Sequence, residues 1–138
     1  MKKIYFLLLA LCCAGIVRAQ SLTDEEKIVQ QCINLKFLDK LYPKDVPLYI
    51  MQHKVSFDNI HPSHNGKKVS FLSKDQIKDQ HPDAYFLFWT FNVTGNDARI
   101  EFVYNYDQNT TEAKEFKAAV LLEKQGVNWI IKDTQPTR

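Results

Sequence analysis

Tyr85-Phe86-Leu87-Phe88-Trp89-Thr90-Phe91-Asn92-Val93-Thr94-Gly95-Asn96-Asp97-Ala98-Arg99-Ile100-Glu101-Phe102-Val103-Tyr104-Asn105-Tyr106 is the stretch whose reading decides the fold. Residues 84–94 are dense in aromatic and β-branched side chains, which suit a pleated, half-buried surface. Thr94-Gly95-Asn96-Asp97 supplies turn chemistry, and residues 98–106 then alternate apolar and polar side chains. Together they predict an antiparallel hairpin. A second hairpin follows, with strands over residues 116–124 and 127–133 joined at Gln125-Gly126; the polar run 107–111 connects the two. Residues 134–138 read as a frayed tail.

Alternation also assigns faces, because successive side chains of a strand point to opposite sides. The expected core face carries Tyr85, Leu87, Trp89, Phe91 and Val93, then Ile100, Phe102, Tyr104 and Tyr106. It continues with Phe116, Ala118, Val120 and Leu122, then Val127, Trp129 and Ile131. A solvated opposite face should be polar. Instead it combines Phe86, Phe88, Val103, Ala119, Leu121 and Ile130 with Thr90, Asn92, Arg99, Glu101 and Lys117. Apolar side chains on adjacent strands make either a patch that meets a partner or a surface that residues 47–80 fold over.

Upstream, Thr23 followed three residues later by Glu26 is a capping box, and Asp24 and Glu25 suit a helix N-terminus. Apolar residues at 28, 29, 32, 33, 35, 37, 38 and 41 extend this helix to about Leu41, where Pro43 and Pro47 end it. Residues 48–57 alternate as a strand, and residues 58–68, with Pro62, Ser63, Asn65 and Gly66, read as a loop. A short strand over 68–72 precedes a second capping box, Ser73-Lys74-Asp75-Gln76, and a short helix ending near His81-Pro82. The fold class is therefore α+β: an N-terminal helix packed on a curved antiparallel sheet of four or more strands.

The first residues have a separate meaning. Met1-Lys2-Lys3 is a positive start, residues 4–17 are an apolar run, and Val17-Arg18-Ala19 has the small-residue pattern of a leader peptidase site. The run is shorter than the roughly 20 apolar residues that span a bilayer. Residues 1–19 thus read as a secretory signal peptide of bacterial type, and 20–138 as one exported domain, periplasmic or secreted. Cys12 and Cys13 follow Leu11 rather than a small residue, so they read as part of the apolar run and not as a lipidation site. Cleavage removes Lys2, Lys3 and Arg18, changing the formal charge from +2 to −1. That excludes electrostatic support for nucleic acid or an anionic membrane as partner. Only Cys32 of the three cysteines stays, which leaves no intrachain disulfide.

The terminal hairpin, from Phe116 through Gly126, Trp129 and Ile131 to Asp133, resembles the ending of small secreted members of the cystatin-like α+β group, especially the nuclear-transport-factor-like superfamily. The order of elements from Thr23 to Asp133 is similar as well. The resemblance implies a cone-shaped pocket between helix and sheet and a tendency to dimerise through the sheet. It does not imply catalysis.

Catalytic and cofactor motifs are absent: no Gly-rich phosphate loop, no CxxC, no HExxH and no nucleophile elbow occur. His61 and His64 share one loop and could share a metal only if His81 or Asp58 joined them; solvated histidines are the simpler reading. The best-placed acid–base groups are Asp79, His81 and Asp83 at the mouth of a strand. Two functions from different classes follow. One is a noncatalytic binding module, of inhibitor or immunity type among other forms, meeting a second copy or an envelope protein through Phe86, Phe88, Val103, Leu121 and Ile130. The other is a small-molecule pocket lined by Trp89, Tyr104 and Trp129, with or without enzymatic activity. N-terminal sequencing of the exported protein is expected to begin at Gln20; a mature chain that still starts at Met1 contradicts the leader reading.

Overall fold

A computed structural model describes residues 22–42 and 45–137; the leader lies outside them. Helix α1 spans Asp24–Ile33, with the Thr23 hydroxyl accepting from the Glu26 N–H at 3.2 Å and three acidic residues in the first turn. It stops eight residues short of the expected Leu41. The Asn34 side chain donates to the Gln30 carbonyl at 2.8 Å, and the Tyr42 hydroxyl donates to the Ile33 carbonyl. These side chains take over acceptors that a continuing helix would use. A 3-10 turn, Leu38–Lys40, carries the chain onward with Leu35 and Leu38 still buried.

The remaining elements are β1 Tyr49–Gln52, β2 Ser63–His64, β3 Lys67–Lys68, β4 Ser70–Ser73, α2 Lys74–Gln80, β5 Tyr85–Thr94, β6 Asp97–Tyr106, β7 Lys114–Gln125 and β8 Asn128–Pro136. The class is α+β. Six strands form one sheet in the order β4-β1-β5-β6-β7-β8, and β2-β3 is a separate hairpin. Strands β5 to β8 are the antiparallel meander read from the turns. The sheet is mixed rather than purely antiparallel, because β1 runs parallel to both β4 and β5. The long excursion between β1 and β4 carries the chain back to the end of the sheet at which β1 began, as a parallel pair requires.

Three local readings change. The strand expected over 48–57 closes at Gln52, whose side-chain amide bonds both backbone groups of Phe57, donating to its carbonyl and accepting its N–H at 2.9 Å each. Within the expected loop 58–68, Asn65 and Gly66 take φ of 48° and 74° and make the β2-β3 turn. This is the two-residue hairpin that Asn-Gly favours. Strand β8 continues through the supposedly frayed tail to Pro136, and the Thr137 N–H still reaches the Lys117 carbonyl at 2.9 Å. Helix α2 holds its capping box, with Ser73 and Gln76 bonded reciprocally, and ends on His81 in the left-handed region.

The largest correction concerns β5. Phe86 pairs with Tyr104 and Phe88 with Phe102, and both phenylalanines are 0% exposed in the core. The first half of the strand therefore has the opposite parity to the expected one, with Tyr85 and Leu87 facing outward. A β-bulge between Phe88 and Thr90 then adds one residue, Trp89, and beyond it Phe91 pairs with Ile100. Phe86, Phe88 and Phe91 are spaced by two and then three, which no regular strand can place on one side. The bulge supplies the extra residue and reconciles them.

The core side is otherwise as the alternation indicates for Ile100, Phe102, Tyr104, Ala118, Val120, Leu122 and Trp129. Ile28, Val29, Cys32 and Ile33 of α1 are fully buried in the same cluster. Aromatic rings dominate its centre, with Phe86–Tyr104 centroids at 4.6 Å, Phe57–Phe88 at 5.3 Å and Tyr42–Tyr104 at 5.2 Å. Val93 and Val127, expected inside, are exposed. Phe88→Ala should cost about 3–5 kcal/mol and Trp89→Ala about 1 kcal/mol or less in urea unfolding. Equal losses would contradict this assignment of faces.

Candidate functional site

The candidate site is the outer face of β5, β6 and β7, on the side of the sheet away from α1. Register places Leu87 beside Val103 and Val103 beside Lys117 in one row. The next row sets Thr90 beside Glu101 and Glu101 beside Ala119, with the bulged Trp89 against it. Leu87, Val103 and Ala119 are buried although they lie outside the main core. Trp89 stands 48% exposed beside them. Leu87, Trp89 and Val103, with Tyr85, Asn105 and Glu115, line an open groove of about 640 Å³.

The bulge is what makes this groove. Both residues of the two-against-one unit, Trp89 and Thr90, serve the outer face, so an indole projects where a regular strand would present one smaller group. The Lys54 ammonium lies 5.4 Å from the centre of the Trp89 ring, at the distance of a cation–π contact. At the other edge of the sheet α2 packs on β4 and β1, and its Ile77 and Lys78 line a cleft with Met51 and Tyr85. Residues 47–80 do not fold over the rest. They add β1 and β4 to the edge instead.

Charges around the groove are paired. Arg99 donates to Glu101 at 2.7 Å, the Thr90 hydroxyl donates to the other Glu101 oxygen at 2.9 Å, and Lys117 meets Glu115 at 2.9 Å. The Arg99 guanidinium, with help from Thr90, holds the Glu101 carboxyl below its ordinary range. These pairs leave the apolar row, with the Lys54 ammonium over Trp89, as the distinctive feature of the groove.

The structure divides the residues singled out from sequence. Val103 lies in the groove. Leu121 and Ile130 share its face but stand apart from it, Leu121 between Arg99 and Asp133 and Ile130 beside Glu123. Phe86 and Phe88 are core residues, because the parity of β5 is reversed before the bulge. The trio Trp89, Tyr104 and Trp129 is not brought together: Trp89 is on the outer face, and the other two are buried beneath α1. Among the described residues the Tyr104 hydroxyl and the Trp129 indole nitrogen find no hydrogen-bond partner. Tyr85, Leu87 and Trp89, assigned to the core from sequence, are the groove residues that alternation misplaced.

Of the candidate acid–base residues, Asp83 through its carboxylate and His81 through its backbone serve a loop. Asp83 accepts the Asn109 N–H at 3.1 Å, and the Asn109 amide donates to the His81 carbonyl at 2.9 Å, so both tie down the β6-β7 connection. Among the described residues, no three His, Cys, Asp or Glu side chains converge as metal ligands. Cys32 is buried in the core, and burial pushes its thiol well above the ordinary range, where it is unreactive.

Comparison of the chain with protein-family models, with curated proteins and with solved structures found no match.

The depressed Glu101 carboxyl has a consequence for stability. A carboxyl lowered in the folded state stabilises above its unfolded value, and that contribution is lost as pH falls through the folded one. Glu101→Gln should therefore lower the melting temperature at pH 7 but not at pH 3. A gap that stays constant across that range would contradict the pairing.

Proposed function

We propose that the protein is an exported, noncatalytic binding module, and that the outer face of β5–β7 is where it meets a protein partner or a second copy of itself. Trp89 is the observation that carries this reading. A half-exposed indole, placed by a bulge beside an apolar row flanked by ion pairs, is the kind of anchor that dominates protein interfaces. Among the described residues no helix packs over this part of the sheet, and no helix is long and apolar enough to cross a membrane.

Export rests on the leader pattern of residues 1–19, and the mature near-neutral charge favours a protein partner over nucleic acid. We assign the fold to the cystatin-like group, with the helix laid across a curved sheet. Its nuclear-transport-factor-like members associate through the sheet, in agreement with the surface chosen here. The packed interface beneath α1 gives no support to a ligand pocket around Tyr104 and Trp129.

A photoreactive amino acid at position 89 tests the proposal directly. It should yield one discrete adduct, with an envelope protein or with a second copy, that Val103→Lys suppresses and that a probe at exposed Phe37 does not give. A strictly monomeric protein that forms no such adduct contradicts the reading.

A further inference from the structure

Outside the groove, the best-defined polar cluster joins the β2-β3 hairpin to the C-terminal end of α1. The Gln30 side chain grips Ser63 at two points, accepting its N–H at 2.9 Å and donating to its carbonyl. The Asn34 amide nitrogen donates to the Gln30 carbonyl at 2.8 Å and to the Ser63 carbonyl at 3.3 Å. Two carbonyls on that nitrogen fix the orientation of the Asn34 amide, and its oxygen consequently faces His64. His64 Nδ1 lies 2.6 Å from that oxygen. Only a donor fits there, so the neutral imidazole carries its proton on Nδ1.

The other ring nitrogen then has a lone pair. It accepts from the Asn65 side-chain amide at 3.1 Å, while an Asp39 carboxylate oxygen stands 3.7 Å away. A lone pair facing a carboxylate is an unfavourable arrangement, and a proton on Nε2 reverses it. The imidazole side chain is only 11% exposed, so a charge on it gains from the neighbouring carboxylate. Its ring also stands edge-on to Tyr42 at 4.5 Å, and Tyr42 packs on Tyr104 and Phe86 in the core.

We propose that His64 is a proton-sensed latch that exchanges Asn65 for Asp39 as its Nε2 partner when it becomes charged. Neutral, the ring holds the hairpin's own turn. Protonated, it donates to Asp39 and ties the hairpin to the 3-10 turn Leu38–Lys40, narrowing the cleft of about 290 Å³ between them. Imidazole is the side chain that changes charge between about pH 5 and 8. Among the described residues, Asp39 and Asp45 line this cleft and favour the charged ring. Lys67 and Lys68 oppose it, Lys67 being partly offset by Asp45 at 3.5 Å. Tyr42 adds a neutral phenol.

The sign follows from the exchange. The Asp39 contact stabilises the fold when His64 carries the second proton and ceases to do so when the ring is neutral. Nitrogen NMR of the exported chain at pH 8 should show His64 as the Nδ1–H tautomer. On acidification to pH 5 the Asn65 side-chain amide signals should move together with the His64 ring signals. Asp39→Asn should lower the melting temperature by about 2–5 °C at pH 5 and by less than half of that at pH 8. His64→Gln, folded at both pH values, should abolish the movement of Asn65. An Nε2–H tautomer at pH 8, or an Asp39→Asn loss equal at the two pH values, overturns the proposal.

Discussion

The bulge between Phe88 and Thr90 is the constraint on which the rest of this structure depends. It permits three phenylalanines, at unequal spacing, to enter one core from one strand. If Trp89 were paired as in a regular strand, either Phe86 and Phe88 or Phe91 would have to leave the cluster. Large aromatic rings contribute a few kcal/mol each when buried, so losing one would remove a considerable part of a small domain's net stability. The bulge thus joins the aromatic centre of the sheet to the helical layer above it. Its by-product is the indole on the other face.

Core and surface are consequently two outcomes of one local irregularity. The residues that gain most from burial, Phe86, Phe88 and Phe102, close the interior. Trp89, with an indole N–H suited to a wet boundary, is the residue displaced outward. Around it Leu87, Val103 and Ala119 are covered by their own neighbours, and the charged rim is internally paired. A surface of this kind is compatible with a soluble domain, yet still presents Trp89 as an apolar projection for a partner to cover.

Much of the fold was legible because its signals are local. Thr23 and Ser73 announce helix starts, and Gly95 and Gly126 adopt the positive φ that their turns demand. Asn65-Gly66 carried an equally local hairpin signal that was read only as loop. The parity of β5 was not legible for a different reason. Residues 85–89 are all apolar, so alternation there has a period but no phase. Phase came from partners on β6, chosen by nonlocal packing. The parallel pairing of β1 with β4 and β5 is equally nonlocal, since it depends on where an excursion returns. The site inherited both difficulties: Val103 was placed well from a clean strand, whereas Phe86 and Phe88 were assigned to the wrong side.

Deleting Trp89 alone is the most direct test of the bulge. Removing the one unpaired residue should leave both halves of β5 in their present register with β6 and keep Phe86, Phe88 and Phe91 inside. Denaturant unfolding of this deletion variant should remain cooperative and within about 2 kcal/mol of the parent. If the variant fails to fold, or loses as much stability as a deletion of Leu87, which shifts the phenylalanines relative to their partners, the bulge does not organise the sheet in this way.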